Sequence, residues 1–315
     1  MLKSCFVTML VLSFVLLWMP NTLLAQTTDT NEQVIRIATT YRITPNITYH
    51  SANNWESKLD VYRPGSATTP RPTLIYIHGG GWTAGTKESS ALTFLPYLAM
   101  GWAVVNVEYR LAEVSLAPGA VEDCRCALRW IYRNAEQYNF DLDRLVVTGG
   151  SAGGHLALTT GMLPTADGFE RTCPGDRGPG PVSTEPLKVA AIINWFGITD
   201  VTDLIDGENR RAYAEWWLGN LPNRVALSKQ VSPLTYVRPE LPPILTIHGD
   251  ADPIVPYDHA LRLHKALDQA GVSNELFTVP GGGHGGFSGE QNKNIYASIK
   301  NFLSEHNIIS AKSPD

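Results

Sequence analysis

The sequence contains few cysteines and no basic run, and both absences narrow its function. Four Cys are present among 315 residues, and no His or Cys stands around them at zinc-finger spacing, which argues against a metal site. Lys and Arg number 25 against 30 Asp and Glu, with no cluster of basic and aromatic residues, so nothing indicates a nucleic-acid partner. A neutral, esterified or sugar-like substrate suits the formal net charge of −5.

The apolar run near the N-terminus is too short to span a membrane comfortably. It covers residues 6–18, follows Lys3 and ends before Pro20. A small residue, Ala25, stands where a signal peptidase would cleave. We therefore interpret residues 1–25 as a secretory signal peptide and expect a secreted or periplasmic protein with no membrane attachment after cleavage. An uncleaved membrane anchor is the alternative.

Residues 26–315 show no internal repeat and no second core, which predicts one catalytic domain of the α/β class. Residues 34–64 alternate between polar and apolar, which indicates antiparallel strands. Later apolar runs are typical of strands buried on both faces of a parallel sheet, with helix-like segments between them. These runs occupy residues 74–77, 102–107, 144–147, 189–194, 243–247 and 275–279. Nothing in the pattern indicates an oligomeric state.

The candidate nucleophile lies in the pentapeptide Gly149-Gly150-Ser151-Ala152-Gly153, between a strand-like and a helix-like run. In G-x-S-x-G, the outer glycines leave room for a sharp turn that holds the serine hydroxyl out towards substrate. The N–H of Ala152 then lies at a helix N-terminus, where free amides favour an oxyanion. On this motif alone, a Gly-rich structural turn is the alternative to a catalytic Ser151.

Further groups with catalytic chemistry follow other predicted strands. A triple glycine follows the strand at residues 74–77, and its bare N–H groups at Gly80 and Gly81 are candidate oxyanion donors. Two carboxylates, Asp250 and Asp252, follow a later strand and compete for the role of the acid. His284 stands in a glycine-rich loop after the last strand, where it is free to reach a serine.

These motifs resemble those of α/β-hydrolases of the hormone-sensitive-lipase-like esterase group, and more narrowly those of secreted bacterial feruloyl and acetyl-xylan esterases. Ser151, an acid and then His284 follow the chain order of that fold, and the family pattern H-G-x-x-D-x-x-V-P falls on Asp252 rather than Asp250. The resemblance implies an eight-stranded, mostly parallel sheet with a small cap insertion. It also implies hydrolysis of short-acyl or aromatic esters, including those of plant polysaccharides, without a cofactor or metal.

Two other classes of function share part of this pattern. A secreted serine peptidase, an amidase or an arylformamidase has the same triad order, but such peptidases usually carry a second large domain and a charged amine-binding pocket. Neither is evident in the sequence. A catalytically silent binding protein on a hydrolase fold is less favoured, because all three triad residues and the glycines are present.

Residues 199–232 lack a strand pattern and are a candidate cap, a short helical insertion over the site. Aromatic residue types near the motifs suggest a pocket for a phenolic acyl group or a sugar. Packing in the core is the alternative for the tryptophans of the candidate cap. The candidate pocket residues are Trp82, Trp195, Phe196, Trp216 and Trp217.

Three cysteines remain after the leader is removed, and an oxidising compartment permits one disulfide among them. Cys124 and Cys126 lie two positions apart on a predicted helix and point in different directions, so any disulfide must use Cys173. Cys124 falls on the apolar face, and similar esterases often have a single Cys at its place. We therefore expect a Cys126–Cys173 disulfide that tethers a surface loop at residues 167–185, with Cys124 free and buried. A Cys124–Cys173 pairing is the alternative.

Overall fold

The computed structural model describes residues 22–65, 68–173 and 186–310. Most of the predicted signal peptide therefore lies outside the described residues. A first compact unit ends at Thr40 and contains helix α1 (Thr22–Thr40). The strand prediction for residues 34–40 is wrong, because the hydroxyls of Thr39 and Thr40 donate to carbonyl oxygens one helical turn back, at Ile35 and Arg36. Among the described residues, no helix is both long enough and apolar enough to cross a membrane.

The second unit, residues 41–315, is built on one eight-stranded sheet, as predicted. Its order is β1-β2-β4-β3-β5-β6-β7-β8, with antiparallel pairing at β1·β2 and β2·β4 and parallel pairing elsewhere. The strands are β1 (Tyr41–Ala52), β2 (Trp55–Pro64), β3 (Arg71–Ile77), β4 (Ala103–Val107), β5 (Phe140–Gly150), β6 (Ala191–Trp195), β7 (Ile244–Gly249) and β8 (Asn274–Val279).

Helices cover both faces of the sheet. Leu74 and Ile75 are neighbours on β3 and point to opposite faces, yet both are fully buried. The helices of this unit are α2 (Leu95–Ala99), α3 (Gly119–Arg133), α4 (Ala135–Tyr138), α5 (Ala152–Met162), α6 (Ala212–Leu218), α7 (Arg224–Gln230), α8 (Asp258–Gln269) and α9 (Gly289–Glu305). The apolar runs of the sequence are continuous because both faces of these strands are covered.

Parallel pairing brings the carboxyl ends of β3, β5, β7 and β8 to one edge of the sheet. The segments after these strands carry Gly80, Ser151, Asp252 and His284. Residues that are far apart in sequence therefore meet at one place, as expected for ligand sites of parallel α/β sheets.

The segment after α5 is anchored to α3 rather than lying loosely on the surface. Cys126 and Cys173 form a disulfide, and Cys124 is free and buried. Beside it, the buried guanidinium of Arg125 pairs with the buried carboxylate of Glu170. The prediction of a surface loop from residue 167 thus needs correction for Phe169, Glu170 and Cys173, whose side chains are buried, while Asp167 and Arg171 are exposed. Residues 174–185 lie outside the described residues.

We expect the disulfide to stabilise the folded state, since it joins residues 47 apart in sequence. Loop-closure entropy predicts a loss of at most about 4 kcal/mol when Cys126 and Cys173 are both replaced by Ala. Urea denaturation with and without a reducing agent measures the effect. Reduction should destabilise the wild type and the Cys124→Ala control, and should leave the double variant unchanged. Equal sensitivity of all three proteins to the reductant would contradict a stabilising crosslink.

Candidate active site

Ser151 occupies a strained turn between β5 and α5. Its φ of 58° and ψ of −122° lie outside the regions that non-glycine residues prefer. A Cβ atom on Gly149 or on Gly153 would overlap the carbonyl oxygen of Ile77, at the end of the adjacent strand β3. The Ser151 N–H donates to the Trp195 carbonyl at 2.9 Å and fixes the turn to β6. The two glycines are therefore required by close packing of the turn against β3.

Three backbone N–H groups beside this turn are available to an anion. Gly80 has a φ of 121° and Gly81 one of 60°, and a Cβ on Gly80 would overlap the carbonyl oxygen of Ala84. In the described part of the chain, no hydrogen bond is donated by the N–H of Gly80, Gly81 or Ala152. Ala152 is also the first residue of α5, where the helix dipole favours negative charge. The arrangement can therefore hold an oxyanion.

His78 supports the loop that carries these donors. Its ring stacks on Tyr109, with centroids 4.3 Å apart, and its Nδ1 lies 2.8 Å from the Gly79 carbonyl oxygen. Burial lowers the pKa of His78 to about 4, so the ring is neutral at physiological pH. His78 therefore supports the loop structurally.

The acid and the base meet at the same edge of the sheet. His284 Nδ1 lies 2.7 Å from Asp252 Oδ2, while Asp252 Oδ1 accepts the N–H groups of Ile254 and Val255 at 2.8 and 3.0 Å. Burial would raise the pKa of Asp252, but hydrogen bonds from His248, from His284 and from those N–H groups hold it well below its ordinary value. Asp252 is therefore a carboxylate at neutral pH.

Asp250 has a different place. Its Oδ1 accepts the N–H of Gly281 at 2.7 Å, and its side chain bridges the loop after β7 to the loop after β8. The geometry thus brings Asp252, and not Asp250, into contact with His284. Asp250 therefore supports the loop after β8 through its hydrogen bond with Gly281.

Ser151 and His284 open onto one cavity of about 540 Å³. The glycines of the anion-binding loop form one wall of it. The other lining residues are Tyr76, Gly150, Phe196, Tyr213 and Ile254. Tyr213 comes from α6 in the candidate cap, whose described segment contains two short helices and no strand. Tyr76, Tyr213 and Ile254 carried no signal in the sequence, since nothing in a single chain shows which distant segments fold over the serine.

A second, smaller cavity of about 140 Å³ lies behind the nucleophile turn. Its wall shares Tyr76, Gly150 and Phe196 with the first cavity. Phe196 has a φ of 40° and lies 4.7 Å from the His284 ring, centroid to centroid. The remaining lining residues are Thr93, Tyr97, Thr148, Gly149, Trp195, Asn292 and Tyr296. Phe196, whose backbone φ is positive, therefore forms part of the wall of both cavities.

Three of the five predicted aromatic pocket residues do not line either cavity. Trp82 and Trp217 are fully buried and stack on each other with centroids 4.2 Å apart, and the Trp82 indole N–H donates to His155. Trp216 is 58% exposed on the outer side of α6. The prediction is corrected for these residues, because packing of α6 on the loop after β3 uses the two rings as core. Trp195 and Phe196 do line the cavities.

In the ranges that the structure describes, no group of three or more His, Cys, Asp or Glu side chains is placed to hold a metal ion. The polar side chains that line the cavity are those of Ser151, His284 and two tyrosines, beside the glycine amides, and the Asp252 carboxylate contacts His284. This set can transfer an acyl group through proton transfer and oxyanion stabilisation.

The sequence is similar to one protein family and to curated proteins named as esterases or ester hydrolases. The sequence profile of the BD-FAE family matches residues 59–267. Esterase LipQ of Mycobacterium tuberculosis is 29% identical over 241 residues, which cover 74% of this chain and 54% of LipQ. Probable carboxylic ester hydrolase LipM of the same organism is 30% identical, with 64% and 46% covered. The chain thus spans about half the length of these curated relatives.

Two similar solved structures match this chain over nearly their whole length. A truncated carbohydrate esterase from gut microbiota superimposes with a TM-score of 0.65 at 27% identity, covering 86% of this chain and 98% of that one. Esterase 2 of Thermogutta terrifontis gives a TM-score of 0.70 at 25% identity, covering 88% and 96%. That esterase has also been solved phosphorylated by paraoxon.

The adjacent residues Trp216 and Trp217 provide a matched test of their different burial. We expect Trp217→Ala to lower the free energy of unfolding by about 3 to 5 kcal/mol, because it leaves a cavity beside Trp82. Trp216→Ala should change it by less than about 0.5 kcal/mol, since its ring is solvent-exposed. Urea denaturation followed by circular dichroism measures both. Equal losses in the two variants would overturn the assignment of Trp217 to the core.

Proposed function

We propose, since this chain belongs to the BD-FAE family, that the protein is a serine carboxylesterase acting through Ser151, His284 and Asp252. The observation that carries the proposal is the 2.7 Å contact between His284 Nδ1 and the buried carboxylate of Asp252, at a cavity that also contains Ser151. The esterase names of the relatives and the phosphorylation of a solved neighbour by paraoxon support the same reaction class.

His284 acts as the general base in this proposal. The Asp252 carboxylate accepts a hydrogen bond from the Nδ1–H of His284, which leaves the lone pair of Nε2 free for the Ser151 hydroxyl. As the serine oxygen attacks the ester carbonyl, its proton passes to Nε2 and the ring becomes an imidazolium. The charged Asp252 stabilises that imidazolium, and the imidazolium then gives the proton to the departing alcohol.

The developing oxyanion is held by the N–H groups of Gly80, Gly81 and Ala152. None of the three donates a hydrogen bond to another described residue, and each is held by the loop after β3 or by the start of α5, so little reorganisation is needed during the reaction. Loss of one such donor typically costs about 3 to 4 kcal/mol in the transition state. Water then attacks the acyl-enzyme by the same route, giving the acid and regenerating Ser151.

The substrates of this proposal are short-acyl or aromatic esters of the acetyl and feruloyl type, including those of plant polysaccharides. The acyl group occupies the cavity of about 140 Å³ behind the nucleophile turn, whose walls are largely aromatic. The alcohol part occupies the larger cavity of about 540 Å³, which has room for a sugar. A secreted or periplasmic location accords with the Cys126–Cys173 disulfide, since such crosslinks persist in oxidising compartments.

We expect Ser151→Ala and His284→Ala each to lower kcat by several orders of magnitude on an acetyl ester. Asp252→Asn should also lower it strongly, on the order of 10³- to 10⁴-fold, because the imidazole loses its tautomer-fixing carboxylate. Asp250→Asn is the matched control, and its kcat should fall only slightly. Steady-state kinetics and labelling by a fluorophosphonate measure these effects. A crippling Asp250→Asn with a mild Asp252→Asn would refute the acid assignment.

The acyl assignment predicts different effects for two tyrosines. Tyr296 lines the smaller cavity and Tyr213 the larger one. We expect Tyr296→Ala to raise kcat/KM for longer acyl esters relative to acetyl, because it enlarges the acyl space, while Tyr213→Ala leaves the acyl order unchanged. A panel of acetyl, butyryl, feruloyl and anilide substrates measures this order. An acyl preference that moves with Tyr213 and not with Tyr296 would reverse the two subsites, and faster anilide cleavage would favour an amidase.

A further inference from the structure

The Asp252 carboxylate has a second imidazole neighbour besides His284. His248 lies near the end of β7, and its Nε2 is 3.3 Å from Asp252 Oδ2 and 3.0 Å from the carbonyl oxygen of Val255. The side chains of His248 and Asp252 are both fully buried. The ring of Tyr257 packs edge-on against His248, with centroids 5.6 Å apart. Asp252 is therefore enclosed between a buried histidine on one side and His284 on the other.

The two acceptors around Nε2 determine the tautomer of His248. A carbonyl oxygen and a carboxylate oxygen can only accept, so Nε2 must carry the proton. His248 Nδ1 is buried and has no partner among the described residues. A donor at Nδ1 as well would be buried without a partner among the described residues, which is costly. His248 therefore donates from Nε2.

We propose that His248 is a positioning residue that orients the Asp252 carboxylate towards His284. Its Nε2 lies 3.3 Å from Oδ2, which faces His284, and its N–H donates to the carbonyl of Val255 at 3.0 Å. The Val255 N–H in turn donates to Oδ1. One donor thus restrains both ends of the carboxylate, directly at Oδ2 and through the Val255 peptide at Oδ1. This inference rests on the proposed triad and assigns to it a fourth residue that does not touch substrate.

The lowered pKa of Asp252 supports this role of His248. His248 is among the hydrogen-bond donors that hold the pKa of Asp252 below its ordinary value, against the effect of burial. Without His248, the Oδ2 atom of Asp252 keeps its hydrogen bond from His284. The loop from β7 to Val255 loses the hydrogen bond that His248 donates to the Val255 carbonyl. The carboxylate is then less restrained about its terminal torsion, and the His284 ring is less firmly held.

Two substitutions at His248 separate positioning from packing. Gln places an amide nitrogen near the position of Nε2, whereas the shorter Asn reaches only the position of Nδ1. We expect His248→Asn to lower kcat about 10- to 100-fold with little change in KM, and His248→Gln to recover most of the loss. His264→Asn is the matched control, because His264 is a buried imidazole on α8 that bonds Asn274 away from the site. Its kcat should stay at the wild-type value.

A spectroscopic readout tests the same inference without turnover. The downfield proton resonance of His284 Nδ1–H should weaken or move in His248→Asn and return in His248→Gln. In the wild type, nitrogen-15 labelling of histidine should report the neutral Nε2–H tautomer for His248, which needs no variant to fold. An Nδ1–H tautomer would overturn the proposal, because Nε2 could not then donate to Asp252.

Two kinetic results would contradict a positioning role for His248. Wild-type kcat and an unchanged downfield resonance in His248→Asn would show that Asp252 needs no such donor. Equal losses in His248→Gln and His248→Asn would assign His248 to packing. If the wild type hydrolyses no ester at all, the proposed function fails, while the tautomer and the downfield resonance still decide the role of His248.

Discussion

The site depends on how closely the turn at Ser151 approaches the end of β3. The backbones meet so tightly that Gly149 and Gly153 have no room for a Cβ beside the Ile77 carbonyl. That approach places the strained serine next to the loop that carries Gly80 and Gly81, and it sets α5 with its N-terminus at the same point. Nucleophile and anion-binding amides thus arise from one packing contact, and substitution of either glycine would disturb both.

The energy that maintains this strained turn comes from the buried sheet and from polar ties around it. Strand β4 is buried along its whole length and α5 over almost all of its length. At the antiparallel edge, the carboxylate of Asp123 accepts from His50, Ser57 and Arg110, which joins β1 and β2 to α3. Such buried networks specify one arrangement when every member is partnered. The buried sheet, α5 and the network around Asp123 thus hold the scaffold that carries the serine turn.

The acid and base are held by a different means, because they stand on loops. Asp252 accepts hydrogen bonds from two backbone N–H groups and from His284, and His248 Nε2 lies 3.3 Å from it, so the loop after β7 closes on its own carboxylate. Phe196, at a positive φ, packs against the His284 ring and forms part of the wall of both the larger and the smaller cavity. Phe196 therefore both restrains the ring of His284 and shapes the two cavities.

The sequence by itself determined the α/β class, the mostly parallel sheet and the identity of Ser151, Asp252 and His284 as candidates. Most of those features follow from local signals, namely apolar runs, glycines around a turn and motifs placed just after strands, whereas Asp252 was preferred to Asp250 through the family resemblance. Helix geometry pointed to Cys173 by separating Cys124 from Cys126, and the apolar helix face and the same resemblance favoured Cys126 as its partner. It was wrong for residues 34–40, where helical bonding overrode an alternating pattern.

Only the tertiary structure decided which aromatic rings face the cavity and which support the core. Trp216 and Trp217 are chemically identical neighbours, yet one is exposed and the other stacks on Trp82, because α6 presents only one side to the loop after β3. Tyr76, Tyr213 and Tyr296 reach the cavities from segments far apart in the chain. His248 differs, because it lies only four residues before Asp252 in the H-G-x-x-D-x-x-V-P pattern, but its contact with that carboxylate depends on the fold of the loop after β7. Burial and contact are properties of packing between distant segments, and a single sequence carries no local signal for them.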